Sequence, residues 1–213
     1  MSIRENIIKI KNSLPNNVTL VAVSKKQSIS SIHEAYSCGQ KIFGENNAIE
    51  LSKKAEAMPN DIKWHMIGHL QRNKVKNIIK YVDLIHSIDS IKLLNEINKR
   101  AIKINKVIKC LVQIKIAKES NKFGIDKKEI NEFITDSKKF TNIKIIGLMG
   151  MATNTNDISV IKSEFSFLSN IFETIKNNDI KILSMGMSGD YTYAIKNNAN
   201  MVRIGSSIFN LNS

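Results

Sequence analysis

Lys181-Ile-Leu-Ser-Met-Gly-Met-Ser-Gly-Asp-Tyr-Thr-Tyr-Ala-Ile-Lys-Asn-Asn-Ala-Asn-Met-Val-Arg-Ile-Gly-Ser-Ser207 is an apolar run, a loop, a helical stretch and a second apolar run. The first run, Lys181 to Met185, breaks at Gly186-Met-Ser-Gly-Asp190. A helix-like stretch starts at Tyr191, and Met201 to Ile204 then runs into Gly205-Ser-Ser207. Two strands joined by a helix lie parallel in one sheet, because a helix-length connection returns the chain to the edge it left. The same alternation extends back along the chain, with runs at Val18 to Ser24, Lys41 to Gly44, Ile62 to Ile67, Asp83 to Ile88, Val107 to Ile114 and Ile143 to Met149. Between the runs the apolar spacing turns helical, as in Ile29, Ile32, His33 and Tyr36, or Ile161, Phe165, Leu168, Phe172 and Ile175. Eight such units in 213 residues predict a compact α/β fold, a single (β/α)8 TIM barrel spanning residues 1–213. An extra helix carrying Ile3, Ile7, Ile8 and Ile10 precedes the first strand and ends at the Pro15-Asn16-Asn17 turn. An open doubly wound sheet is the alternative, because the Lys41 to Gly44 run is short.

Composition narrows the class. Hydrophobic residues make up 42% and charged residues 24%, as in an ordinary globular domain. There is no run of eighteen apolar residues, and Met1 to Lys11 mixes charges into its isoleucines, so neither a membrane span nor a signal core is expected and the address is cytoplasmic. Cys38 and Cys110 are far apart with no CxxC pair, which argues against a disulfide framework or a zinc knuckle; Cys110 sits in an apolar run and reads as packing. The net charge of +13 raises affinity for polyanions. The 32 basic residues are scattered, however, with no aromatic platform and no helix-turn-helix, so no specific nucleic-acid partner is expected.

In a parallel barrel, chemistry gathers where the strands end. The first run ends in Lys25-Lys26, where a partly desolvated amine would have a lowered pKa and attack an aldehyde; alternation does not say which lysine points inward. The second end reads Phe43-Gly44-Glu45-Asn46-Asn47 and the third Trp64-His65-Met66-Ile67-Gly68-His69. His65 and His69 flank a glycine turn and are not expected to form a metal pair; His33 and His86 fit a helix face and a strand interior. The seventh and eighth ends offer glycines, hydroxyls and free amides around Ser188, Gly205 and Ser206, the loops where many barrels hold phosphate. Helix capping by these serines is the bland alternative. An amine on one side of the mouth and a phosphate cradle on the other is the minimum apparatus for pyridoxal 5'-phosphate, and Arg203 is the candidate to face its ring nitrogen, where a fixed positive charge would weaken the electron sink.

Seven motifs carry a resemblance: Ala22-Val-Ser-Lys25, Phe43-Gly-Glu-Asn46, Trp64-His-Met-Ile-Gly68, Ser120-Asn-Lys-Phe-Gly-Ile125, Gly147-Leu-Met149, Leu183-Ser-Met-Gly-Met-Ser188 and Met201-Val-Arg-Ile-Gly-Ser206. Together and in order they resemble the pyridoxal phosphate homeostasis protein family. The resemblance implies a barrel like the N-terminal domain of alanine racemase, without that enzyme's second domain. It implies Lys25 as the Schiff-base lysine, phosphate held around Ser188, Gly205 and Ser206, Arg203 toward the pyridine and Asn46 lining the mouth. Three positions depart from the pattern: His69, where proline is frequent, Asn47, where an aromatic or basic residue is, and Asn210, where glycine is.

The function implied is a carrier or regulator of pyridoxal phosphate and related B6 vitamers, with no catalytic residues and no metal. PLP-dependent apo-enzymes are the candidate partners. The rival is a PLP-dependent amino-acid racemase or decarboxylase, with Tyr191 or Tyr193 as its second acid; a basic polyanion-binding module is the third reading. A closed barrel has no free sheet edge, which favours a monomer.

Overall fold

A computed structural model describes residues 2–117 and 123–210; Ser120, Asn121 and Lys122 of the fourth motif lie outside the described residues. The eight runs form strands β1 (Thr19–Val23), β2 (Ile42–Glu45), β3 (Lys63–Met66), β4 (Val82–Ile88), β5 (Ile108–Gln113), β6 (Ile143–Met149), β7 (Ile182–Ser184) and β8 (Met201–Ile204). All neighbours pair in parallel, and β1 pairs with β8 through Thr19–Met201, Leu20–Val202, Val21–Arg203 and Ala22–Ile204, so the sheet closes and the open-sheet alternative falls. The short second run is a true strand, shifted one residue to end at Glu45 and held between β1 and β3.

Helices α1 (Ile3–Ser13), α2 (Ile29–Ser37), α3 (Ala48–Ala57), α4 (Val75–Ile78), α5 (Ile91–Lys103), α6 (Ile130–Ser137), α7 (Ile158–Ile175), α8 (Tyr191–Lys196) and α9 (Ser206–Phe209) surround the barrel. Several begin at a side chain that accepts from otherwise orphaned amides: Ser28, Asn47, Ser90 and Asp157 do so for α2, α3, α5 and α7. The extra helix α1 carries a capping box between Ser2 and Glu5. It buries Ile3, Ile7 and Ile10, and its Asn6 Nδ2 donates to Ile208 O at 3.0 Å, which ties the first helix to the last. None of the described helices is long and apolar enough to cross a membrane.

Strand alternation sorts the side chains into two cores. One set, including Leu20, Ala22, Phe43, Trp64 and Leu183, meets the helices; Cys110 is fully buried there, as its apolar run implied. The other set, Val21, Leu84, Leu111, Met149 and Met201, packs inside the barrel. The inward positions next along the strands are polar: His65, His86, Ser184 and Arg203, all buried. Polar side chains inside a sealed barrel must find partners there.

Candidate functional site

A cleft of about 520 Å³ opens where the strands end. Lys25, Asn46, Ser188, Arg203, Gly205 and Ser206, the six residues singled out from sequence, all line it. Its walls also include Val23, Ile67, Met151 and Met187, so a polar rim surrounds apolar sides. This is the size and make-up of a small-molecule site.

Lys25 reaches the cleft because β1 stops two residues earlier. Ser24 N still donates to Gly44 O at 3.0 Å, and its hydroxyl turns outward to Glu45 Oε1 at 2.6 Å, which sends the next side chain inward. Lys26 cannot follow. Its backbone is left-handed (φ 62°), and its amide donates to Glu50 Oε1 at 2.7 Å. Behind this turn Lys54 Nζ donates to Ser24 O, Glu45 Oε1 and Glu50 Oε1 at 2.6, 2.8 and 2.7 Å, using all three ammonium protons on a buried pedestal. Burial pushes the Glu45 carboxyl up, against the pull of Lys54 and Ser24, and its Oε2 has no hydrogen-bond partner. The expected desolvation of Lys25 does not occur: the residue is exposed, because it lies beyond the last strand pairing, above the rim.

Arg203 is buried on the neighbouring strand β8, paired with Val21 of β1, so the cradle lies beside the Lys25 strand end and not across the mouth from it as expected. Its Nη1 donates to Ser184 Oγ at 2.7 Å and its Nη2 to Gly150 O at 3.0 Å. Burial lowers its pKa to about 10, which leaves it charged at neutral pH, and Asp190 opposes the shift. Ser184 Oγ lies 3.2 Å from His86 Nδ1, and His86 Nε2 lies 3.0 Å from His65 Nδ1. Burial holds His86 well below the usual histidine range and His65 down to about 4, so both rings are neutral. The direction of the chain follows from its first member. Arginine only donates, so Ser184 accepts from it and gives its own hydrogen to His86 Nδ1; His86 Nε2–H then donates to His65 Nδ1. His65 Nε2–H is left facing Asp83 Oδ2 at 3.9 Å, a charge contact too long for a hydrogen bond.

The two serine-glycine loops meet on this side. Ser188 Oγ accepts from the amides of Gly205 at 3.2 Å and Ser207 at 3.5 Å, so this serine does cap a helix, reaching α9 from the preceding loop; Ser206 makes no side-chain cap. Gly186 has φ 93°, and a Cβ there would lie 2.6 Å from Ala194 Cβ. Gly68 has a different reason: a Cβ would fall 2.3 Å from Asn46 O, so glycine lets the third strand end press against the second.

Other candidates separate. His65 is inside the barrel, whereas His69 stands at the mouth with its ring stacked on Phe123, centroids 3.7 Å apart and planes at 13°. Among the described residues no group of three or more His, Cys, Asp or Glu could hold a metal ion. Tyr191 meets Ser13 Oγ at 3.4 Å, and Tyr193 lies beneath Lys162; neither lines the cleft. Gln113, Phe123, Met151 and Met187 were not among the sequence candidates. Gln113 and Met151 sit at or just past the ends of β5 and β6, so the strand-end rule applied to those two strands would have found them.

A family model for the alanine racemase N-terminal domain matches residues 1–213. A pyridoxal phosphate homeostasis protein of Vibrio alginolyticus is 35% identical over 98% of this chain and 97% of its own length. One from Schizosaccharomyces pombe is 37% identical over 91% and 84%. This chain belongs to the pyridoxal phosphate homeostasis protein family. Solved structures agree with that family assignment: PipY of Synechococcus elongatus, determined without PLP, superposes with a TM-score of 0.92 at 29% identity, over 98% of this chain and 100% of that one. PipY with PLP bound gives 0.88 at 28% identity. Alanine racemase from E. faecalis shares the fold alone, at 16% identity and a TM-score of 0.80, and the homeostasis-family barrel spans only 58% of that enzyme.

Proposed function

We propose that this protein binds pyridoxal 5'-phosphate and related B6 vitamers in the cleft, holds the cofactor as a reversible Schiff base on Lys25, and serves its intracellular homeostasis as a carrier without turnover of its own. One observation carries the reading: Lys25 and the loops of Ser188, Gly205 and Ser206 line the same cleft, with Arg203 buried in its wall. The family's name and the PLP-bound relative support it.

The residues present suit the group. Among the described residues the backbone amides of Ser188, Gly189 and Ser206 have no protein acceptor, and with the serine hydroxyls they offer donors to a phosphate monoester. Val23, Ile67, Met151 and Met187 give apolar walls for a flat ring. When bound, the cofactor supplies an electrophilic aldehyde carbon conjugated to a pyridine ring. The chain's own residues do the rest. The Lys54–Glu50 pedestal holds the turn that presents Lys25 Nζ. Ser184 and Gly150 hold the Arg203 guanidinium, whose remaining N–H groups can donate to a ring nitrogen lone pair but cannot accept from a protonated one. That selects the less electron-withdrawing ring and favours holding the cofactor over using it. Tyr191 and Tyr193, the expected racemase acids, do not line the cleft. PLP-dependent apo-enzymes in the cytoplasm are the recipients this reading implies, and the closed sheet, which has no free edge, supports a monomer.

Protein mixed with PLP is expected to show an absorption band at the edge of the visible range, and borohydride should fix the adduct to Lys25. In Lys25→Ala the band should vanish; an identical yellow adduct in that variant would remove the assignment.

A further inference from the structure

We propose that His69, oriented by Asp89, is the acid–base group through which an incoming primary amine takes the cofactor from Lys25. The inference rests on the Lys25 linkage above and adds a route of release to it. His69 Nδ1 lies 3.2 Å from Asp89 Oδ2, and the other carboxylate oxygen accepts from Ser90 Oγ at 3.3 Å, so both oxygens of a largely buried aspartate are engaged. Phe123 covers one face of the ring. The stacking therefore sets the ring plane, Nδ1 stands in charge contact with Asp89 without hydrogen-bond geometry, and Nε2 has no partner among the described residues. A ring fixed by stacking, with one nitrogen facing a carboxylate and the other open, is an arrangement in which a histidine can pass protons.

Its place matters as much as its partners. His69 lines the cleft with Lys25, and it also lines an adjoining polar cleft with Arg72, Asp89 and Lys92. It thus belongs both to the cleft of the proposed linkage and to a polar opening that suits a solvated amine; the charged groups around it are Asp89, Lys25, Arg72 and Lys92. No other described side chain of the cleft can do this work. Lys25 is the linked group, Arg203 only donates, and Asn46, Gln113 and the serines are not bases near neutral pH. His65 and His86 lie below, fully buried with their facing nitrogens committed to each other.

The exchange balances without any oxidant. With the linkage protonated on nitrogen throughout, the incoming ammonium gives up two protons as its nitrogen forms the new bond to carbon. Lys25 Nζ takes up two as its own bond to that carbon breaks, and leaves as an ammonium. His69 Nε2 accepts from the first nitrogen and gives to the second, and ends as it began.

The test mixes PLP-loaded protein with excess propylamine, quenches with borohydride at set times, and reads by intact mass the fraction of chain still carrying the cofactor. Equilibrium occupancy is read separately from the absorption band. His69→Asn and Asp89→Asn should keep the occupancy, while exchange slows on the order of a hundredfold in the first and less in the second; added imidazole should restore part of the rate in His69→Ala. Exchange in His69→Asn within twofold of the parent at equal occupancy would overturn this inference alone. Should that variant fold poorly, an unslowed Asp89→Asn would do the same. Absence of a fixed adduct in the parent protein would instead overturn the Lys25 linkage, and this inference with it.

Discussion

His65 makes the fold sensitive to acid by an amount that can be worked out. Inside the barrel its pKa is about 4 because burial disfavours the imidazolium, while in the unfolded chain the ordinary value is 6.5. Between those values the unfolded chain binds the proton that the folded chain refuses, so acid drains stability as pH falls below about 6.5, and the loss levels off below about 4. The difference of about 2.5 between the two values corresponds to about 3 kcal/mol in full. From pH 7.5 to pH 5 the linkage relation gives a loss of about 2 kcal/mol. His65→Gln is the control, since an amide oxygen can still accept from His86 Nε2 and does not titrate. With a urea slope of about 2 kcal/mol/M, the unfolding midpoint of the parent should fall by about 1 M between the two pH values, over and above any drop in the variant. Equal drops in both proteins would refute the argument, because they would show that the buried ring is not what refuses the proton.

Two further outcomes follow from the buried polar contacts. Lys54→Met should cost about 3–5 kcal/mol in urea unfolding, because it leaves the fully buried Glu45 carboxylate with Ser24 alone; a loss below 1 kcal/mol would mean the pedestal is not a true buried ion pair. Ser184→Ala removes one of the two acceptors that the Arg203 guanidinium has among the described residues, and should weaken PLP binding about tenfold while leaving the borohydride-fixed adduct on Lys25. Titration of the absorption band measures it, and unchanged affinity would show that Arg203 needs no support from the seventh strand.

Much of the site could be read along the chain because a parallel barrel turns strand ends into a ring. Lys25, Asn46, Ser188, Gly205 and Ser206 each follow an apolar run and Arg203 lies within the last one, and placing those runs in one closed sheet brings them to one cleft. Contacts across the barrel were not readable in the same way. His86 reads as a strand-interior residue, but its partners are His65, 21 residues away, and Ser184, 98 residues away. Tyr191 and Tyr193 follow the phosphate-type loop and look available as acids, yet α8 turns them toward the helical layer, where Tyr191 meets a residue 178 positions earlier. His69 and Asp89 lie on two different strand ends, and only the pairing of β3 with β4 makes them neighbours.

Alone, the order of residues determined the alternation of strand and helix, and with it the barrel and the ring of strand ends. Those follow from local periodicity, in which each side chain's direction depends on its few neighbours in the chain. Tertiary structure decided which of Lys25 and Lys26 lines the cleft, through the half-buried Glu50 carboxylate that holds the Lys26 amide in a left-handed turn. It also decided the protonation of His65 and His86 and the pairing of His69 with Asp89. These depend on desolvation and on charges brought close by the closing of the sheet, and neither exists until distant segments meet.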